Sequence, residues 1–257
     1  MGNLHRMMVR AAAGRPGGSS YADEVLADSP VGFWLFDEIV GGVFEDDVAS
    51  NHGTVDGATV VSNGPGSDLS SSASFNGVTD HVDVGRSDLL VQATAATYEI
   101  WISPDSAGTP DGGNYIYNAG PNGFGTGERD WDGGNDGVRF RTEDSTDQPR
   151  MLTNGGYYPQ FPSPDFLYDG TWYHLVFTFD GGTAARFYVD GVEVWSDLSP
   201  PAALGTLTEH YLSFGMIFAW SDGILPEYYH GRIAGAAFYD TVLSPARITA
   251  HYDAGVA

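Results

Sequence analysis

The chain contains no cysteine and no lysine: all eleven of its basic residues are arginine. Without cysteine there is no disulfide framework, no thiol nucleophile and no thiolate metal site. A large β-sandwich can do without such staples, whereas a small secreted domain rarely does. No apolar run approaches the ~18–20 residues of a membrane-spanning helix. Arg6 and Arg10 are not followed by an apolar stretch, so the N-terminus does not read as a secretory signal. The sequence also lacks a Gly-x-Ser-x-Gly elbow, a His-Glu-x-x-His zinc helix and a phosphate-cradling loop with its lysine. Positive charge is scarce: the net charge is −23, and residues 1–20 alone carry +3 through Arg6, Arg10 and Arg15, leaving −26 on the remainder. Such a body repels nucleic acid and anionic membranes, so neither is expected as a partner. The acidity serves solubility, or suits a salty milieu where surface charge is screened.

Glycine and aromatics are abundant instead. The 257 residues include 35 Gly, and aromatics make up 13%, which suits many strands joined by tight turns. Trp172, His174, Val176 and Thr178 alternate with Tyr173, Leu175, Phe177 and Phe179. Gly181-Gly182 turns the chain into Arg186-Phe-Tyr-Val189, and Asp190-Gly191 is a hairpin dipeptide before Val192-Glu-Val194. Further strands are expected at Val31–Phe36, near Thr54–Val61, at Ala73–Gly77, His81–Val84, Tyr98–Pro104, Tyr115–Asn118, Gly137–Thr142, His210–Phe218 and Tyr229–Tyr239. Ser20-Tyr-Ala-Asp23 reads as a capping box for a short helix over Tyr21–Ala27. Ser244 and Pro245 read as N-cap and first residue of a final helix, with Gly255 placed to end it. Residues 1–20 read as a flexible basic arm and 21–257 as one domain.

The run Asp169-Gly-Thr-Trp-Tyr-His-Leu, the segment Phe187-Tyr-Val-Asp-Gly-Val-Glu-Val194, the pair Phe75-Asn-Gly77 and Asp80-His-Val-Asp-Val84, and Tyr239-Asp-Thr-Val-Leu-Ser244 together resemble laminin-G-like domains of the concanavalin A-like lectin/glucanase superfamily. The opening passage Tyr21-Ala-Asp-Glu-Val-Leu-Ala-Asp-Ser-Pro-Val-Gly-Phe-Trp-Leu-Phe-Asp-Glu38 is similar to that of such domains in tailed-phage structural proteins. The resemblance implies an all-β antiparallel β-sandwich jelly roll with a short C-terminal helix. It also implies a non-catalytic surface module of a phage virion, either capsid decoration or minor tail protein, made in the host cytoplasm and displayed in many copies or as a homo-oligomer. Arg6, Arg10 and Arg15 would anchor the arm to a major capsid or tail protein, and host-surface glycans would be the ligand. Two alternatives stay open: a purely structural virion protein without a ligand, and a cellular lectin or glycoside-hydrolase relative.

The residues themselves allow a sharper look at chemistry. Glycosidases need two carboxyls flanking the bond, and related glucanases carry Glu-x-Asp-x-x-Glu on one strand. Here Glu99 stands alone, with no acid until Asp105, and reads as a hydrogen-bonded strand residue and not a nucleophile. His174 reads as a core or edge histidine with a satisfied ring, and His251 falls on the final helix. Sugar binding needs exposed rings that stack on C–H faces, beside polar groups for the hydroxyls. Phe124, Trp131, Asp132, Asn135, Tyr157 and Tyr158 offer this mixture in one region, and Trp220 and Asp222, with Phe218, Tyr228 and Tyr229, in another. The resemblance implies a structural calcium ion, whose oxygen ligands would come from Glu38, Asp46, Asp47, Asp80 and Asp240. Glu38 would approach Asp240 if the first and last strands are neighbours.

Overall fold

The computed structural model describes residues 20–87, 93–105, 115–120, 138–142, 149–152, 170–203, 210–217 and 227–257. A first helix, α1 (Tyr21–Ala27), opens on Ser20, whose hydroxyl accepts from the Asp23 amide while the Asp23 carboxylate accepts from the Ser20 amide. The short sequence thus closes a reciprocal capping box.

The strands form two antiparallel sheets. The larger has the order β13 (Val192–Asp197), β12 (Ala184–Val189), β11 (Tyr173–Asp180), β7 (Ala95–Pro104), β17 (His230–Tyr239), β5 (Ser72–Asn76) and β4 (Thr59–Val61), with β1 (Gly32–Trp34) also on β17. The smaller runs β10 (Pro149–Leu152), β9 (Val138–Thr142), β8 (Tyr115–Gly120), β14 (His210–Phe214), β6 (His81–Ser87), β3 (Gly53–Asp56) and β2 (Val43–Phe44). A two-stranded ribbon joins β15 (Met216–Ile217) to β16 (Glu227–Tyr228).

Alternation in β7 explains the layering. Ala96, Tyr98, Ile100 and Ile102 point between the sheets, where they meet Trp34, Phe75, Val82, Phe177, Phe187, Leu212, Phe214 and Phe238. The alternate residues Thr97, Glu99, Trp101 and Ser103 are buried too, on the opposite face of the large sheet. Trp101, Val176, Tyr188, Ala234 and Tyr239 there receive α1, through Tyr21 and Val25, and the C-terminal helix α2 (Pro245–Val256), through Ile248 and Ala254. This strand is therefore buried on both sides, as a central strand covered on two faces is, with Thr97, Glu99 and Ser103 as polar groups on the helix-covered side.

Three expectations change. The strand expected near Thr54–Val61 is two strands in different sheets: Gly57, at φ 78°, lets the chain leave the small sheet after β3 and enter the large one at β4. The strand expected over His210–Phe218 breaks at Gly215, also left-handed at φ 77°. Gly255 does not end α2, which continues to Val256; a Cβ on Gly255 would lie 2.3 Å from the Trp101 ring, so the glycine lets helix and sheet approach. The Asp190-Gly191 turn behaves as expected, with both residues left-handed at φ 52° and 77°.

Candidate functional site

Two places collect functional side chains, one on the outer face of each sheet. On the large sheet the centre is Glu99, fully buried on β7. Its Oε1 accepts from the Tyr21 hydroxyl at 2.9 Å and from His174 Nε2 at 2.9 Å. Its Oε2 accepts from His251 Nδ1 at 2.8 Å and from the Tyr239 hydroxyl at 3.2 Å. The other ring nitrogen of His251, Nε2, lies 2.9 Å from Asp28 Oδ2. Ionised carboxylates only accept, so both nitrogens of His251 carry protons and the ring is an imidazolium. Asp28 also takes Arg247 Nε at 2.7 Å, and Arg247 reaches Glu24 at 2.6 Å.

The electrostatics follow from this geometry. Burial alone would raise the Glu99 pKa, but the His251 charge and the hydrogen bonds from both histidines outweigh it and hold the carboxyl far below its usual range. Burial would lower His251, and Glu99 and Asp28 together reverse that into a raised value. Tyr21 and Tyr239 are pushed well above the ordinary tyrosine value, first by burial and then by the Glu99 charge. A carboxylate with four donors and no exposure has no open position for a substrate. Glu99 is therefore the hydrogen-bonded strand residue that the sequence suggests, with more partners than a single neighbour. His174 donates through Nε2, while its Nδ1 has no partner among the described residues. The signal available in the sequence was a single acid in Tyr98-Glu-Ile-Trp-Ile, a segment apolar enough to be buried on both faces.

The second place is the outer face of the small sheet. Leu212 and Phe214 of β14 and Val82 of β6 point inward, so Ser213, His81 and Asp83 take the opposite face. Register carries Thr54 and Asp56 of β3 to the same side, opposite Asp83 and His81. The Tyr228 ring lies 6.3 Å from that of His81. Partial burial, then the charge of Asp56, raises the Tyr228 hydroxyl pKa. Tyr228 is thus the one member of the expected second cluster that the described structure puts on this face; Tyr229 is fully buried in the inter-sheet core.

The other expected contacts, Phe124, Trp131, Asp132, Asn135, Tyr157, Tyr158, Phe218, Trp220 and Asp222, lie outside the described residues, as do Arg6, Arg10 and Arg15. Their described flanks can be placed. Gly120, Val138 and Leu152, which bound segments 121–137 and 153–169, sit at one end of β8, β9 and β10. Ile217, which precedes 218–226, follows β14 away from that end. The two expected aromatic segments therefore join the small sheet at opposite ends.

The five carboxylates expected to hold calcium do not assemble into one site. Strands β1 and β17 are indeed neighbours, but the antiparallel register Gly32↔Phe238 and Trp34↔Ala236 sends Glu38 away from Asp240. Buried Asp46 accepts from the backbone amides of Phe33, Val48 and Asn51, and Asp47 beside it donates its amide to the Phe33 carbonyl. Asp80 closes a turn with Asn76 and Thr79. Among the described residues no group of three His, Asp or Glu is placed to hold a metal ion.

Comparison with known proteins fits this architecture. Domain 4 of AbnA, an extracellular GH43 arabinanase from Geobacillus stearothermophilus solved in complex with arabinotriose, superposes with a TM-score of 0.57 at 15% identity, over 88% of this chain and 98% of that domain. The Trypanosoma rangeli sialidase in complex with sialic acid gives a TM-score of 0.56 at 18% identity, over 86% of this chain. The chain spans 32% of that sialidase's length. No curated protein matches the sequence. The family Laminin_G_3, described as the concanavalin A-like lectin/glucanases superfamily, matches residues 76–249, most of the chain. With its two antiparallel sheets and terminal helix, this chain belongs to that family.

Proposed function

We propose that this domain is a non-catalytic saccharide-binding module that meets its ligand on the outer face of the small sheet. The observation that carries this reading is the unequal treatment of the two outer faces. The large sheet's outer face is sealed by α1 and α2, and its ionisable cluster is consumed in holding them. The small sheet's outer face presents Thr54, Asp56, His81, Asp83 and Tyr228, a polar surface beside an aromatic ring. Sugar recognition uses that mixture, a ring against C–H groups and polar groups on the hydroxyls. Further support comes from the likeness over a whole domain to an arabinotriose-bound one.

The setting we propose is the surface of a phage particle, on the strength of the opening passage Tyr21–Glu38. The basic arm would bind a capsid or tail protein, and many copies would turn weak sugar contacts into firm attachment. The test is a glycan array probed with the full chain and with Tyr228→Ala, each in calcium and in EDTA. Binding weakened tenfold or more by Tyr228→Ala supports the reading. Silence from the folded protein across the array sinks it and leaves a structural virion role. Loss in EDTA would restore a calcium ion built from residues outside the described set.

A further inference from the structure

The tie between the two helices runs through one ring. α1 is held to the domain by the buried side chains of Tyr21, Ala22 and Val25, and by the carboxylates of Glu24 and of Asp28, the residue that follows it. His251 of α2 is fully buried between Asp28 and Glu99 of β7, with Nε2 2.9 Å from Asp28 and Nδ1 2.8 Å from Glu99. The rings of Tyr21 and Tyr239 lie 6.5 Å and 6.3 Å from it. Arg247 stands one turn earlier on α2, and His174 of β11 binds the other oxygen of Glu99. Three carboxylates, Glu24, Asp28 and Glu99, thus face two cations, Arg247 and His251.

A neutral imidazole has one N–H, so it can donate to only one of its two carboxylates. What each would lose decides which. Glu99 is fully buried and His251 is its cation, whereas Asp28 keeps Arg247 Nε at 2.7 Å and its side chain is 18% exposed. The remaining proton therefore stays on Nδ1, toward Glu99, and Asp28 is left facing a bare lone pair. Loss of one proton thus acts on the contact between α1 and α2 and spares the contact of α2 with the sheet. A pivot lies beside it. Ser29, between α1 and β1, is held at φ 57°, a left-handed conformation that costs a serine and is relieved once the helix is free, and Pro30 follows. Burial weakens the ring's hold on its proton, and Glu99 and Asp28 more than restore it. The docked ring is therefore protonated at pH values where a free one, at the ordinary 6.5, is not.

We propose that His251 is a proton-operated clasp: with the ring charged α1 is docked on α2, and loss of the proton frees α1 to swing about Ser29–Pro30 while α2 stays on the sheet. Freed, the segment from Tyr21 to Pro30 reaches roughly 33 Å, so anything attached ahead of Tyr21 passes from a fixed to a tethered state. The equilibrium between docked and free α1 is flat below 6.5, shifts toward the free helix as pH climbs from there to the docked ring's value, and is level above it.

Native-state hydrogen exchange on the full chain, read by mass spectrometry and corrected for the intrinsic pH dependence of exchange, tests the clasp. Between pH 6 and pH 9 the amides of α1 should lose about tenfold in protection, and at each pH they should be less protected than those of β7 and β11 in the core. Asp28→Asn should hold its α1 protection across that range, because its amide N–H can donate to the bare Nε2 while its oxygen keeps Arg247. His251→Gln removes the titrating ring and should be flat as well. Should that variant fail to fold, Asp28→Asn carries the test alone, since Asp28 lies at the rim of the cluster. Arg247→Gln should lower α1 protection at every pH and keep the fall, which separates the ring from the neighbouring ion pairs. Protection of α1 equal to that of β7 at every pH overturns the clasp, because the helix then opens only with the whole domain. A fall of parental size in Asp28→Asn overturns it too, and so does an α1 unchanged from pH 6 to pH 9.

Discussion

The outer faces of the two sheets are built to opposite rules. On the large sheet, every second residue of β7 is buried under helices, and an ionised carboxylate is surrounded by four donors. On the small sheet Thr54 and Asp56 are exposed and His81 and Asp83 partly so, while Ser213 on the same face is buried. A buried charge is tolerated only where its partners are complete, so the first face has no freedom left for a ligand. The second face has freedom but little stability at stake. On the proposed reading, structure and recognition fall to different sheets.

The largest expected effect comes from breaking the sealed face. Glu99→Gln leaves His251 as a buried cation with one carboxylate fewer. Removing one partner of a buried pair costs ~3–5 kcal/mol, to be read from urea unfolding; a loss below about 1 kcal/mol, the scale of an exposed ion pair, would contradict the sealed arrangement. Gly255→Ala comes next. Its Cβ would meet the Trp101 ring, and overpacking of this kind costs ~1–3 kcal/mol. A near-parent midpoint would show that α2 can shift off the sheet.

The pH dependence sharpens the same comparison. The Glu99 pKa is depressed on folding, so its contribution is complete above the ordinary 4.5 and is lost progressively as pH falls below it. The His251 pKa is raised, so its contribution is complete below the ordinary 6.5 and is lost as pH rises through the folded value. Stability from this cluster is therefore greatest between about 4.5 and 6.5. His251→Gln should flatten the alkaline decline in a series of denaturant curves. An unchanged decline would assign it to other groups. The smallest effect belongs to the open face. Tyr228→Ala should change stability by about 0.5 kcal/mol or less, as an open-surface substitution does, while weakening saccharide binding. A large loss of stability would place Tyr228 with the structural residues instead.

The sequence carried the sandwich clearly because local and long-range signals agree. Tyr173–Phe179 alternates, Asp190-Gly191 demands a hairpin, and Ser244-Pro245 starts a helix; each appears in the structure. Where a single residue redirected the chain, the pattern misled. Gly57 splits one apparent strand between two sheets, and nothing in Thr54–Val61 distinguishes a left-handed glycine from an ordinary strand interruption. The Glu99 cluster was half legible. A lone acid in a doubly buried strand must be paired, but its partners lie 78, 75, 140 and 152 residues away and only the topology joins them.

Arg247 and His251 tie α2 to α1, and both helices lie on the covered side of the large sheet. Anything joined to the chain ahead of Tyr21 or beyond Val256 is therefore attached at the back of the domain, and the small sheet faces away from its mounting. On the proposed reading, such a unit can be held through either end while the face proposed to bind stays clear.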